Sequence, residues 1–553
     1  MLAGSTAITG TRRPGVPGGS ALGRALGWGL ADAYRLGVAG ITGALAAFLL
    51  LQAIHWPAHE DETLVFFVSR QPLGDLFSTV FEQRGGAPLH FLLAKAMVTV
   101  WPGLLGLRLI SVVFAVASVP VMAALVSRLT DRRTALLATA IAAASWMMVY
   151  HGIYARMYSL FLFTSALSFL LLLRAVGRRD PRRWAAWALA TLAAIATQPY
   201  GAFVLAVGAA FVLARRRTHV FPLRPALISI AAVTLLALPL WLVYRVLAAR
   251  FGVGLTGESG SKLGSPLDVF AYLFRVAGDF TAGWALTAAL VIVVAVVGLL
   301  TLVRTRPAAA FLSVAVFLIP TVAFLLTRSG SSVSLESRHL IFALPFFAML
   351  VGAGLLRLAS LAGTRAPAAL GLGLGLLLAA EIAWGWDRTP WMYAGEPAAR
   401  KAAREEAASW LGATSRADDV LFGYEPLYLD AWEKGAPFGA LFVPRADPRL
   451  AVERLDKAPK PLGRGVWVID ASDQLNVARQ RLTISGRAPG PQFEARAFGP
   501  FLVVRTKAPV KTEETFLRDT AVVEFNARAL EIGDAGLNLQ TAVNALARLR
   551  ARP

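Results

Sequence analysis

The 553-residue sequence contains no cysteine. Neither a disulfide framework nor a thiolate metal site can form. Charge is scarce too: Asp, Glu, Lys and Arg make up 16% of the chain, against roughly 25% in soluble domains. Acids are the scarcer sign, with 34 Asp and Glu against 55 Lys and Arg, a formal net charge of +21. What fills the space is apolar. Hydrophobic residues are 56% of the chain and the mean hydropathy is +0.58. Stretches such as 286–303 and 311–327 are nearly free of charge, close to the about 20 residues that cross a bilayer as a helix. The chain reads as a polytopic membrane protein. Its excess of base does not point to nucleic acid, because the arginines cluster in short connectors between apolar runs, as cytoplasmic loops do.

Eleven apolar segments qualify as spans: 36–54, 107–129, 134–149, 157–175, 184–197, 200–213, 226–247, 283–303, 308–326, 340–358 and 366–386. Residues 1–35, rich in Gly, Ser and Arg, read as a disordered cytoplasmic tail. The run 36–54 is too long for a cleavable signal core and reads as an uncleaved first span. Alternate connectors carry the arginines, among them Arg128, Arg132, Arg174, Arg183, Arg215, Arg304, Arg306, Arg357 and Arg365. The positive-inside rule makes these cytoplasmic. The intervening connectors 55–88, 152–156, 198–199, 248–282 and 328–339 then face outward, with everything after Trp386. The apolar stretch beginning at Pro88 would invert every later loop if it crossed, so it reads as a helix in the outer interface. The expected placement is the plasma (inner) membrane, N-terminus inside and C-terminal domain outside.

After residue 390 the composition becomes that of a soluble domain. Strand-like segments at 420–424, 441–443, 466–469 and 501–504 alternate with helix-like ones at 399–411, 427–434, 448–457 and 474–482, which implies an α/β domain over 391–507. A tail, 508–553, carries Leu539, Val543, Leu546 and Leu549 on one helical stripe. Docking on its own domain is the plainer use of that stripe, and binding a partner the other.

With acids so rare, the adjacent pair Asp61-Glu62 in the first outward connector stands out. Asp61 could simply cap a helix. Equally, a carboxylate there could accept a proton from an attacking hydroxyl, with its neighbour tuning it or binding a cation. Arg156 and Arg338 both sit outward, against the charge rule. Snorkelling explains an interfacial arginine, and so does a phosphate site, since a guanidinium fork matches phosphate oxygens. His59, His90 and His339 fall on the same side, as do Tyr158 and Tyr200, and all five are candidate substrate contacts. The histidine spacing matches no metal motif, so a divalent cation stays open as a cofactor.

Taken in order, Asp61-Glu62, Gly86-Ala87-Pro88-Leu89-His90, Leu107-Arg108-Leu109-Ile110-Ser111, Ala155-Arg156-Met157-Tyr158-Ser159-Leu160 and Arg338-His339-Leu340 with Pro345 resemble the GT-C membrane glycosyltransferases. The likeness is to the bacterial branch of protein mannosyltransferases and lipid A aminoarabinose transferases, and it covers about residues 36 to 390 of this sequence. It implies an all-α membrane domain of GT-C type with about eleven spans and a C-terminal extracytoplasmic α/β domain. It also implies a polyprenyl-phosphate sugar donor, a lipid, glycan or protein acceptor, and inversion at the anomeric carbon. By that resemblance Asp61 is the general base, Glu62 orients it or the acceptor, and Arg156 with Arg338 holds the donor phosphate. The chain departs from the family's pattern at Ala87 and His90, which bears on acceptor identity. A polytopic lipid or glycan transporter and a non-catalytic envelope assembly protein are the rival readings.

Overall fold

The computed structural model describes residues 21–83, 86–176, 180–216, 223–243, 265–328, 336–439, 441–445, 447–472, 484–528 and 535–551. Long apolar helices come first. They are α1 (Ala21–His55), α5 (Leu104–Leu129), α8 (Tyr158–Ala175), α13 (Ala285–Thr305), α14 (Pro307–Arg328), α15 (Leu344–Ser360) with the 3₁₀ turn Ser337–Ala343 before it, and α16 (Ala366–Arg388). Among the described residues these seven have the length and apolarity to cross a membrane. An eighth arises if α6 (Arg132–Ala144) and α7 (Trp146–Ile153), bent by 56° at their junction, count as one broken span. Ser145 makes that break, ending α6 and capping α7 by accepting from the Met148 N–H.

The sequence led us to expect eleven spans. The difference lies in α9 (Pro181–Thr197), α10 (Gly201–Arg216) and α11 (Leu223–Leu236), which have 17, 16 and 14 residues. Each is shorter than the about 20 residues of a full crossing. The turn between α9 and α10 still reaches the Asp61 end of the bundle, where Tyr200 lies 4.7 Å from the His339 ring. Outside the described residues lie 1–20 of the expected tail, the end of the expected span 226–247 from residue 244, residues 248–264 and 329–335 of two expected connectors, and the helix expected at 474–482. At the N-terminus α1 is already helical from Ala21, so the tail expected to be irregular to Arg35 is helical over its last part.

Before the second long helix come α2 (Glu60–Arg70), α3 (Leu73–Ser78), a π turn (Thr79–Gln83) and α4 (Pro88–Val100), none of them long enough to cross. Further along, α12 (Pro266–Phe280) is capped by Ser265 and ends at the buried Asp279. Helices α13 and α15 meet through glycines. A Cβ at Gly298 would run into the Leu350 carbonyl, and one at Gly354 into the Val294 carbonyl.

The chain then passes through α17 (Pro390–Ala394) and α18 (Ala398–Thr414) into a five-stranded sheet of order β2-β1-β3-β5-β4. Its strands are β1 (Val420–Phe422), β2 (Phe442–Val443), β3 (Gly465–Asp470), β4 (Phe493–Phe498) and β5 (Phe501–Thr506). Strand β1 is parallel to β2 and β3, linked by α19 (Pro426–Glu433) and α20 (Pro448–Asp456), while β5 runs antiparallel to β3 and β4. The tail is no appendage. Its helices α21 (Glu513–Arg528) and α22 (Ala535–Arg550) share a core with β3, β5 and α20. Ala542 and Ala545 form the buried face of α22, and Val543 of the expected stripe points to solvent.

One core joins the two parts of the molecule. Val65, Phe66 and Phe67 of α2 pack with Leu427, Tyr428 and Phe442. Phe66 lies 4.7 Å from Trp432, and Phe67 lies 4.3 Å from Phe442.

Candidate active site

Helix α2 opens at Glu60, two residues before the start that an Asp61 cap would give, so Asp61 lies inside its first turn and does not cap it. His59 is the N-cap: its ring accepts from the Asp61 N–H at 3.1 Å, and its own N–H donates to Glu62 Oε2 at 3.0 Å. That capping box turns the two adjacent acids in different directions.

Glu62 points inward and is fully buried, as is Arg108 from the first turn of α5. Arg108 Nε and Nη2 donate to the two Glu62 oxygens at 2.9 and 2.7 Å. The remaining guanidinium hydrogens go to the carbonyls of Ala53, Trp56 and Pro57, at 3.0, 2.6 and 2.8 Å. Glu62 also accepts from the Ala155 N–H at 3.0 Å. Both its oxygens are thus occupied. Glu62, expected from the resemblance to orient Asp61 or the acceptor, ties α2, the end of α1, α5 and the 154–156 turn together. Arg108, which the sequence offered only as part of a motif, completes it.

Asp61 points the other way, with 31% of its side chain exposed. The Tyr154 hydroxyl donates to Oδ2, and Arg156 Nη1 lies 3.7 Å from Oδ1. The same hydroxyl is 3.2 Å from His59 Nδ1. Burial works against the Asp61 charge, but Arg156, His59, the Tyr154 hydroxyl and Arg338 outweigh it and hold the carboxyl well below the usual range. Tyr154 is pushed up by burial and by Asp61, so it stays a proton donor. Burial also opposes the charge of Arg156, yet Asp61, Tyr154 and Tyr158 more than restore it. The Nε of Arg156 is buried without a partner among the described residues.

Arg338 arrives from the 3₁₀ turn before α15. Its guanidinium lies 5.3 Å over the Tyr158 ring and pairs with Glu336. Its Nε, like that of Arg156, has no hydrogen-bond partner among the described residues. The turn is anchored from behind: Ser337 donates to Asp279, which Arg388 approaches at 3.4 Å. Burial raises the Asp279 pKa in spite of Arg388. His339 accepts the Glu336 N–H at 3.2 Å through Nδ1 and packs on Tyr200.

Asp61, His59, Arg156, Arg338 and Tyr158 therefore converge, and His339 with Tyr200 forms the flank beside Arg338. His90 stays within the protein. It is buried in α4, neither ring nitrogen has a hydrogen-bond partner among the described residues, and burial with Arg156 drives its pKa down to about 3 even though the Ala155 backbone favours the charged form. Tyr154, Arg108 and Glu336 were missed as partners. Arg108 had a signal in its motif at the start of the second span, and Tyr154 in its place two positions before Arg156. Among the described residues no group of three or more His, Asp or Glu gathers to hold a metal ion.

No protein-family model matches the sequence, and no curated protein sequence matches it. Solved structures do. ArnT from Cupriavidus metallidurans in the apo state superposes with a TM-score of 0.51 at 14% identity, over 86% of this chain and 98% of that one. The fold is that of ArnT. The same enzyme bound to undecaprenyl phosphate gives 0.51 at 15% identity, with the same coverage. An oligosaccharyltransferase from Archaeoglobus fulgidus, in complex with Zn and sulfate, gives 0.49 at 11% identity over 77% of this chain and 67% of that one. At these identities the likeness is one of fold.

Proposed function

We propose that this chain is an integral membrane glycosyltransferase of the GT-C type. It moves a sugar from a polyprenyl-phosphate donor to an acceptor hydroxyl, with inversion, on the outer face of the plasma membrane. The observation that carries the reading is the pairing of Asp61 with Arg156, beside Arg338, at one end of a bundle with the ArnT fold. ArnT has been solved with undecaprenyl phosphate, and a lipid phosphate is the ligand that two partly unsatisfied guanidiniums suit. In this topology α9, α10, α11 and the α6–α7 pair also cross, giving eleven spans, and the arginine-rich helix ends face the cytoplasm.

The geometry suggests how the chemistry runs. The donor phosphate lies against Arg156 and Arg338, which take up the charge that develops as the bond from the anomeric carbon to the phosphate oxygen breaks. The acceptor oxygen attacks from the opposite face and its proton passes to Asp61. A free Asp61 held so far below its usual range is a weak base. The phosphate draws on the same two guanidiniums, so its arrival raises the proton affinity of Asp61 when a base is needed. Glu62 and Arg108 hold the loop that aims it.

The test is sugar release from polyprenyl-phosphate donors in proteoliposomes, native protein against Asp61→Asn. We expect native turnover and a loss of at least about 100-fold in the variant, as for removal of a general base, with donor binding retained. Equal turnover in both would remove Asp61 from the role. One observation favours a transporter instead: Glu381 of α16 is fully buried in an apolar span, and neither of its oxygens has a hydrogen-bond partner among the described residues. Donor flipping that needs Glu381, without sugar transfer, would favour that reading.

A further inference from the structure

At the end of the bundle opposite Asp61, α1 and α5 part to leave a groove of about 630 Å³. Val38, Ala39 and Gly43 form one wall, and Pro120, Ala123 and Ala124 the other. Ala39, Gly43 and Pro120 are exposed, so the groove is open to what surrounds the bundle. Its hydroxyls are already committed. Tyr34 donates to the Ala123 carbonyl at 3.0 Å, Thr42 to Val38 at 2.7 Å and Ser127 to Ala124 at 3.1 Å. An interior with no polar group left to satisfy suits a hydrocarbon chain. The depth agrees. Arg35 and His55 are 20 residues apart on α1, about 30 Å at 1.5 Å per residue, which is the thickness of a bilayer's hydrocarbon core. With His55 at the Asp61 end, Arg35 stands at the headgroup level of the other face, and 38–43 lie about 5–12 Å inside it.

The rim of the groove is basic. Arg35 lines it, and Arg132 of α6 lies 5.9 Å over the ring of Tyr34 beside it. Helix α6 is held close to α1 at Gly37, where a Cβ would press on Leu136, one turn after Arg132. Arg128 and Arg133 are exposed at the same end. None of the four has a carboxylate partner among the described residues. Of the nearby acids, Asp131 accepts from the Arg133 and Thr134 N–H groups at 2.9 and 3.0 Å, and Asp32 is exposed one turn before Arg35. Positive charge is left in excess. An apolar groove beneath unpaired guanidiniums matches a lipid whose headgroup carries net negative charge. A zwitterionic headgroup would bring a second cation to the same place. We propose that this groove binds an anionic glycerophospholipid, with an acyl chain between α1 and α5 and the phosphate on Arg35 and Arg132. In the topology proposed above it belongs to the cytoplasmic leaflet, and its binding does not rest on the transferase reading.

The test places the full chain in phosphatidylcholine nanodiscs with a small fraction of phosphatidylglycerol bearing a diazirine on one acyl chain. Irradiation and peptide mass spectrometry then locate the labelled residues. We expect label on 38–43 and 120–124, and much less there from a phosphatidylcholine bearing the same diazirine. Arg35→Gln lowers the groove label about fivefold, and Arg35→Gln/Arg132→Gln about thirtyfold. Label on the exposed Leu290 and Val293 of α13 serves as reference and stays unchanged. Gly43→Leu, whose side chain enters open space, fills the groove and lowers its label with the arginines intact. That variant keeps the proposal testable if the arginine changes prevent folding. Equal labelling by the two probes, or a groove label indifferent to the paired arginine change or to Gly43→Leu, would overturn the proposal. Displacement of the probe by undecaprenyl phosphate at lower concentrations than by phosphatidylglycerol would also overturn it, and make the groove a polyprenyl-phosphate site. So would label that appears only when residues 1–20 are deleted, since the chain itself would then be the occupant.

Discussion

Two neighbouring carboxylates have opposite fates because a helix start turns successive side chains about 100° apart. Glu62 goes into the protein and must be neutralised there; Asp61 goes to the side of Arg156 and stays partly exposed. Breaking a buried pair from one side leaves the other charge stranded, which costs about 3–5 kcal/mol. Arg108→Met should therefore lower the thermal midpoint markedly in detergent. The double variant Glu62→Leu/Arg108→Met, which buries no charge, should regain part of the loss. A midpoint for Arg108→Met equal to that of native protein would remove the pair from the stability of the loop. The sequence showed the two acids and the outward arginines, since acids are rare and the arginines break the charge rule. It could not show which acid faces inward. That depends on Arg108, a residue 46 positions away in sequence from Glu62.

At the scale of elements, helix contacts in an apolar bundle depend on how closely backbones approach, and here α13 and α15 touch through Gly298 and Gly354. Gly298→Ala or Gly354→Ala would push a methyl into a facing carbonyl. Such overpacking costs about 1–3 kcal/mol. Gly371→Ala in α16, with open space around the site, should be neutral or stabilising by up to about 1 kcal/mol. Thermal unfolding of the three variants separates close packing from helix propensity, and equal midpoints would refute the distinction. Hydropathy made the long helices legible, because a charge-free run of that length has one common use. The short α9, α10 and α11 entered the expected eleven spans on apolar composition, which does not reveal helix length. In the sheet, β1, β2, β3 and β5 were visible as buried apolar runs. Strand β4, Phe-Glu-Ala-Arg-Ala-Phe, was not, because an edge strand exposes charge at the positions where a central strand hides it.

For the whole molecule, the shared core matters more than the division between membrane and soluble parts. No composition shift marks that Phe66 and Phe67 of α2 belong with Trp432 and Phe442. Only the fold brings them together. Phe442→Ala removes a ring packed on both Phe67 and Tyr424 and should cost about 3–5 kcal/mol. The loss should be felt in the membrane part as well: hydrogen exchange of the α2 amides should speed up along with that of β2. Unchanged protection of α2 would show that the two parts are only adjacent.

The same core sets an order of events during synthesis. Helix α2 leaves the ribosome near the start of the chain, yet the aromatic rings that cover it are made more than three hundred residues later, after every apolar span. Until then Phe66 and Phe67 lack the rings of Trp432 and Phe442 that cover them. A nascent chain halted before the sheet domain would hold every apolar span and all the residues around Asp61, with one face of α2 still bare. Translation of the last quarter of the sequence is thus the step that closes the core over α2.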